Sequence, residues 1–382
     1  MKSIKYINTL QKKQKMILNQ LFKINKHNIN KKIHSELSPL GWHVLHCIFV
    51  EATWIRSYFY SDETIVSKFK HLADATKINV NKRHLGLPEV HDLKNYAETF
   101  FHENILLIKQ LLSRKIKKEY SLNYIINFLN QHHSQHIEIM NIIISLHNLN
   151  FNKKFNDFAQ EIYPEEYKFS GIEISKGNYK VGAKKLAFSF DNENPRHEVF
   201  LKNYVISKKL IKISEWYAFM KENGYERKEF WSAPGWKWRV KNNIKFPMNW
   251  VFKNKNSFSL STPDGYIIPN NNFPVSNISK YEIEAFASWN NMRLPHEFEW
   301  EVASNKLEEK FKVWEWSSNL FFGYKHFKPY PYKEYSYPWF NQNYFTLKGS
   351  SAFTLKDVRR ESFRNFYQPN ARYIFSGGRL CI

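Results

Sequence analysis

Residues 131–140, QHHSQHIEIM, put three histidines and a glutamate within seven positions. On a helix of 3.6 residues per turn, His132 and His136 lie one turn apart on the same face, the spacing that lets two imidazoles share one metal ion. His133 points about 100° away from them, and Glu138 sits about 200° from His136. Glu138 is therefore poorly placed as a ligand beside that pair and better placed to support a ligand or reach a neighbouring helix. A third ligand has to come from another helix. The segment SPLGWHVLHCIFVEATW (38–54) offers His43 and His46 in an otherwise apolar stretch. A buried imidazole needs a partner, which hydrogen bonds can provide as well as a metal. Spacing alone leaves both readings open: a ligand pair with a third histidine, or a solvated helix face beside two core histidines.

These residues fall in a half of the chain with helical grammar. From residue 1 to about 150 apolar positions recur every three or four residues and Pro and Gly are rare, which predicts helices near 3–24, 40–60, 91–113 and 121–148. After about 165 the pattern changes to short segments such as NYKVGA, HEVFLKNYVIS and YIFSGGRLCI, separated by Gly, Pro, Asn and Asp. Two amphipathic stretches stand near 213–224 and 279–290. Aromatic clusters, FWSAPGWKWRV, VWEWSSN and PYPYKEYSYPWF, can hold a loop-rich domain together because each ring buries a large apolar area. The expected organisation is α+β: a helical bundle over residues 1–162, a linker near 163–171, and a mixed domain over 163–382. We find no internal repeat.

The 382 residues suffice for two cores. A net charge of +22 raises nucleic acid as a partner, but the lysines are spread along the whole chain among Asn and Ile, so no specific nucleic-acid binding is expected. Only Cys47 and Cys381 occur, which leaves neither a disulfide framework nor a CxxC zinc site and fits a reducing cytoplasm. The basic N-terminal stretch interrupts its apolar positions with charge, unlike a signal peptide. No run of 18 apolar residues occurs, so no membrane span is expected.

Together the pieces resemble the ergothioneine-type (EgtB-like) sulfoxide synthases, with ovothiol-forming enzymes as near relatives. That resemblance implies a DinB-like four-helix bundle followed by a C-type-lectin-related, formylglycine-generating-enzyme-like domain. SPLGWHVLH matches the family segment ending in the first iron ligand, here His46. HHSQHIE matches the helix supplying the other two, His132 and His136, with Gln135 at a position beside the substrate. Further matches run in order: FDNENPRHEVFLKNYVIS (190–207), FPVSNISKYEIEAFASWNNMRLPHEFEWEVA (273–303), VWEWSSN, LKGSSAFT, SFRNFYQP and FSGGRLCI. In RLPHEFEWE, Arg293 and Glu299 read as members of buried polar networks that fix the fold.

The resemblance implies an iron(II) cofactor held by His46, His132 and His136. It implies oxidative C–S bond formation between histidine betaine (hercynine) and cysteine or γ-glutamylcysteine, with dioxygen as oxidant and a cavity between the two domains. SFRNF would place Asn365 and Phe366 at the cavity floor, the ring facing the trimethylammonium through a cation–π contact. The alternative for Phe366 is simple packing. A tyrosine is expected as proton donor: Tyr324 first, then Tyr332, Tyr335 or Tyr96. Tyr367 stands where γ-glutamylcysteine-using relatives have an acid, and NYAETF around Tyr96 lacks their arginine. Both departures favour cysteine or another thiol. Lys348 replaces a family arginine, and the glycine pair before Ser351 is Gly349-Ser350. Rival readings are plain histidine as substrate in ovothiol-type synthesis, a selenium donor, and a non-catalytic member of the same fold. Formylglycine generation needs a pair of active-site cysteines that Cys47 and Cys381 do not supply.

Overall fold

The computed structural model describes residues 2–114, 117–151, 159–184 and 188–382. The chain divides into two compact units: residues 1–147 with 355–358, and residues 148–354 with 359–382.

The first unit is built on helices α1 (Lys2–Gln20), α2 (Leu40–Glu51), α3 (Tyr58–Tyr60), α4 (Thr64–Ala73), α5 (Val90–Leu111) and α6 (Leu122–Phe151), with a π-helical turn, Ala52–Ser57, joining α2 to α3. The four long helices fall where the apolar period predicts them. The ten-residue α4 is additional, packing Ile65, Val66, Phe69 and Ala73 inward. Pro39 stands at the N-cap of α2, where its fixed φ and missing N–H cost nothing. Gly41 follows because a Cβ there would meet Asn30 Oδ1 at 2.2 Å, so only glycine lets α2 pass so close to the preceding segment. From Leu40 to Phe49 every residue of α2 is buried. The middle of α6 is buried almost all round, the mark of a central helix.

The second unit carries two four-stranded sheets and two two-stranded ribbons among the described residues. Strand β7 (Ser257–Thr262) is flanked by β1 (Gln160–Glu161) and β6 (Trp250–Phe252) and also pairs with β8 (Gly265–Ile267), all antiparallel. β2 (Gly171–Ile174) pairs with β5 (Tyr204–Ser207), and β3 (Gly177–Val181) with β4 (His197–Leu201). The other sheet runs β11 (Asn365–Tyr367), β10 (Phe345–Gly349), β9 (Trp314–Leu320), β12 (Ser376–Gly377), with β12 parallel to β9. Helices α7 (Ile213–Lys221), α8 (Ala233–Lys241), α9 (Lys280–Trp289) and α10 (Glu297–Ala303) complete it.

Buried ion pairs hold these short elements. Arg364 binds Glu297 through Nε and Nη2 at 2.6 and 2.8 Å and donates to the carbonyls of Asn192 and Phe322. Arg379 binds Glu315 at 2.6 and 3.0 Å and donates to three loop carbonyls, those of Ser207, Lys208 and Glu308. Lys348 reaches Glu301 at 2.8 Å. Each guanidinium thus satisfies backbone oxygens of loops that have no ladder of their own.

Three expectations change. The unit boundary falls at 147/148 rather than 162/163, because the Asn148 amide donates to Thr262 O and its carbonyl accepts from Tyr266 Oη. The 163–171 segment is tied into the second unit, with Glu165 N donating to Ser214 O. Arg293 does form a two-pronged pair with Glu299, but its side chain is 47% exposed, so the pair is a surface one.

Candidate metal centre

His46 on α2 and His132 and His136 on α6 converge, with one ring nitrogen from each within 4.8 Å of the others. His46 Nε2 and His132 Nε2 stand 3.3 Å apart. The ring of Trp42, one turn before His46, stacks on its imidazole at 4.6 Å between centroids. His46 and His132 are buried and His136 partly so.

The outer contacts of these rings fix which nitrogens are bare. His46 Nδ1 donates to Ala73 O at 2.7 Å, which leaves its Nε2 without a proton when the ring is neutral. His132 Nδ1 faces His133 Nδ1 at 3.3 Å, and His133 Nε2 donates to Glu51 Oε1 at 2.7 Å. With His133 neutral, its Nδ1 accepts from His132, so His132 Nε2 is also bare. Two lone pairs then face each other across 3.3 Å, an arrangement that repels unless a cation sits between them. Nitrogens bound to one ion at roughly 2.1 Å each, subtending roughly 90–110°, are roughly 3.0–3.4 Å apart. The donor set therefore fits a divalent ion. His136 meets His43 Nδ1 to Nδ1 at 2.9 Å; when His136 is the donor, its Nε2 is the third bare nitrogen.

Burial disfavours the charged form of His43, His46, His132 and His136. It pushes His46 down to about 4 and, with the neighbouring imidazoles adding repulsion, holds His43, His132 and His136 well below the ordinary histidine value. Neutral imidazole is the form that binds metal. Cys47 also clusters with His132 and His133, but burial raises its thiol well above the usual range, which makes it the poorer donor.

The other sequence-predicted residues are placed as follows. Gln135 is half-buried on α6, next to His136. Tyr96 on α5 is also half-buried, stacked on Phe100 with the Lys68 ammonium over its ring at 4.4 Å. Tyr324 is 3% exposed, packed on His197 at 4.5 Å with Arg364 over its ring, and burial pushes its phenol well above its ordinary value. It lies in the core of the second unit. Phe366 stacks on Phe321 at 4.2 Å within an aromatic group that includes Trp339 and Tyr344. Because side chains alternate along β11, Asn365 and Tyr367 point to the face opposite Phe366.

Sequence reasoning assigned nothing to Glu51 and set His133 aside. Glu51 is fully buried, and its carboxylate accepts from Gln14 Nε2 on both oxygens and from Asn104 Nδ2. A signal was available: Glu51 is the one acid in the apolar run HVLHCIFVEATW, and a buried carboxylate needs a partner.

The class of the second unit is given by residues 164–313, which match the Sulfatase-modifying factor enzyme 1-like domain. The whole is an α+β chain, helical in its N-terminal part and similar to that domain in its C-terminal part. Among curated proteins the chain is similar to hercynine oxygenase of Mycolicibacterium thermoresistibile, 29% identical over 245 residues, covering 50% of this chain and 54% of that protein. It is also similar to hercynine oxygenase of Mycobacterium tuberculosis, 28% identical over 240 residues, covering 50% and 55%. The chain thus spans about half the length of these relatives. PvdO from Pseudomonas aeruginosa aligns with 55% of this chain and 93% of its own, at 12% identity and a TM-score of 0.38. Among the described residues no helix is long and apolar enough to cross a membrane.

Proposed function

We propose that this chain binds iron(II) through His46, His132 and His136 and acts as a dioxygen-dependent sulfoxide synthase, joining histidine betaine to a cysteine-type thiol. The observation that carries the reading is the convergence of three neutral imidazoles, with the bare Nε2 atoms of His46 and His132 facing each other. The likeness to hercynine oxygenases supports the choice of substrate. The balance is one imidazole C–H, one S–H and one O2 giving a C–S bond, one S=O and one water, so that ring carbon and sulfur are oxidised as both oxygen atoms are reduced. Iron(II) would activate dioxygen and offer open positions for the reactants, the electrons coming from the ring carbon and the sulfur. The chain's own residues set the surroundings: neutral ligands leave the metal's charge uncompensated for an anionic thiolate, and holding the reactants together makes the step effectively intramolecular. Gln135, beside His136 on α6, offers a hydrogen bond to the substrate. Tyr96 keeps the partial exposure a proton donor needs, and it replaces Tyr324 in that role.

The test is an anaerobic assay of iron(II)-loaded protein with histidine betaine and cysteine, run beside γ-glutamylcysteine and plain histidine, following product mass after air is admitted. A sulfoxide adduct is expected with histidine betaine and cysteine. An adduct formed only with plain histidine would move the protein to the ovothiol-type reaction. No adduct from any pair, with one iron bound per chain, overturns the proposal.

A further inference from the structure

Between the candidate ligand His132 and the protein surface runs an unbroken buried chain of polar groups. His132 Nδ1 meets His133 Nδ1 at 3.3 Å, and His133 Nε2 meets Glu51 Oε1 at 2.7 Å. Glu51 Oε2 accepts from Asn104 Nδ2 at 3.0 Å, and Asn104 Oδ1 accepts from Arg56 Nε at 2.9 Å. Arg56, in the π-helical turn, is paired with Asp62 and with Glu103, whose side chain is 46% exposed. His133 and Glu51 are both fully buried, so neither is there to solvate a surface. A buried carboxylate that costs several kcal/mol to desolvate needs a role or a partner of equal weight. Glu51 has four hydrogen-bond contacts, and only the one to His133 leads toward the histidine cluster.

Resting on the metal-centre reading above, we infer that Glu51 and His133 are positioning residues that act on the metal through His132. A carboxylate can only accept here, which puts the His133 proton on Nε2. His133 Nδ1 is thereby an acceptor, the His132 proton is held on Nδ1, and His132 Nε2 is kept bare and turned toward His46. A metal-bound imidazole whose outer N–H is held by a carboxylate or carbonyl is fixed in tautomer and orientation and is a stronger donor. In this chain a second imidazole stands between carboxylate and ligand. Among the described contacts the three ligands are held unequally: His46 by a backbone carbonyl, His136 by a neutral histidine, and His132 by a relay ending on an anion. His132 is accordingly the most strongly donating ligand of the three.

The test uses cobalt(II) as a spectroscopic probe and the full chain. Wild type, Glu51→Gln, His133→Gln and the double variant are titrated with cobalt(II), following its visible absorption, and the metal-free proteins are compared by circular dichroism and thermal unfolding. Each single variant is expected to lose about 10- to 100-fold in cobalt affinity with shifted bands, and the double variant to be no weaker than the weaker single. Folded single variants with wild-type affinity and spectrum, or two losses that simply multiply, overturn the inference. Should the variants fold poorly, nitrogen-15 NMR of the zinc-loaded wild type decides. A protonated His132 Nδ1 facing an unprotonated His133 Nδ1 is expected, and a proton on His133 Nδ1 overturns the relay. Cobalt uptake that is absent in wild type, or retained in His132→Ala, instead overturns the metal centre itself.

Discussion

The second unit and the histidine cluster of the first bury polar groups by opposite rules. In the second unit, buried cations meet buried anions one to one: Arg364 with Glu297, Arg379 with Glu315, Lys348 with Glu301. Burial opposes ionisation of Glu297, yet Arg364 holds it below the usual carboxylate range. In the first unit His43, His46, His132 and His136 crowd together with no anion in direct contact among their described hydrogen bonds, and their basicity is pushed down. Paired burial specifies loops, whereas the crowded neutral donors are unfavourable unless something else occupies their centre. The difference separates polar residues that complete one another from a cluster whose members lack a charged counterpart among their described hydrogen bonds.

The largest expected effect is on the unpaired side. His132→Ala or His136→Ala should reduce iron(II) uptake to background, measured by metal analysis after desalting, with helical circular dichroism retained. On the paired side, Arg364→Met should destabilise the second unit by about 3–5 kcal/mol in urea unfolding, since Glu297 is left buried and alone. Replacing both partners by apolar residues should recover most of that loss, and a double variant as unstable as the single would break the distinction between pairing and site.

A pH series probes the crowded histidines. The folded-state value of His46 is about 4, below the unfolded value of about 6.5. The unfolded chain therefore binds the proton first, and metal-free protein should be at full stability above about pH 6.5 and lose on the order of 3 kcal/mol as pH falls to 4. Urea midpoints of chelator-treated protein across that window check it, and midpoints flat between pH 6.5 and 4 would contradict the burial of a neutral His46. The smallest effect belongs to Phe366. As a ring stacked on Phe321, its change to Leu should cost about 1 kcal/mol and leave the KM values for histidine betaine and histidine in unchanged ratio. A KM rise confined to the betaine would return Phe366 to the substrate.

What the sequence made legible follows from how far each interaction reaches along the chain. The four long helices carry their period within themselves, and His132 and His136 are an i, i+4 pair on one of them. Joining His46 to them takes a separation of 86 residues to His132, which spacing cannot supply and family resemblance suggested. The Arg364–Glu297 and Arg379–Glu315 pairs span 67 and 64 residues, so SFRNF and FSGGRL did not disclose that their arginines, more than their neighbours, knit the second unit. The surroundings of Tyr324 were hidden for the same reason: nothing near it in sequence announces that His197 and Arg364 enclose its ring. Glu51 was legible as an oddity among apolar neighbours, but its partner His133 lies 82 residues away.

The segment Leu355–Val358 belongs to the first unit, where Asp357 pairs with buried Lys13 and accepts from Ser134 Oγ. Lys13 and Asp357 are 344 residues apart. During synthesis, domains generally fold in the order in which they leave the ribosome, but here the first helix presents an ammonium whose counter-ion is translated only 344 residues later. The first unit cannot complete this ion pair until residues 148–354 have been made, so their translation is a waiting time built into the maturation of the first unit.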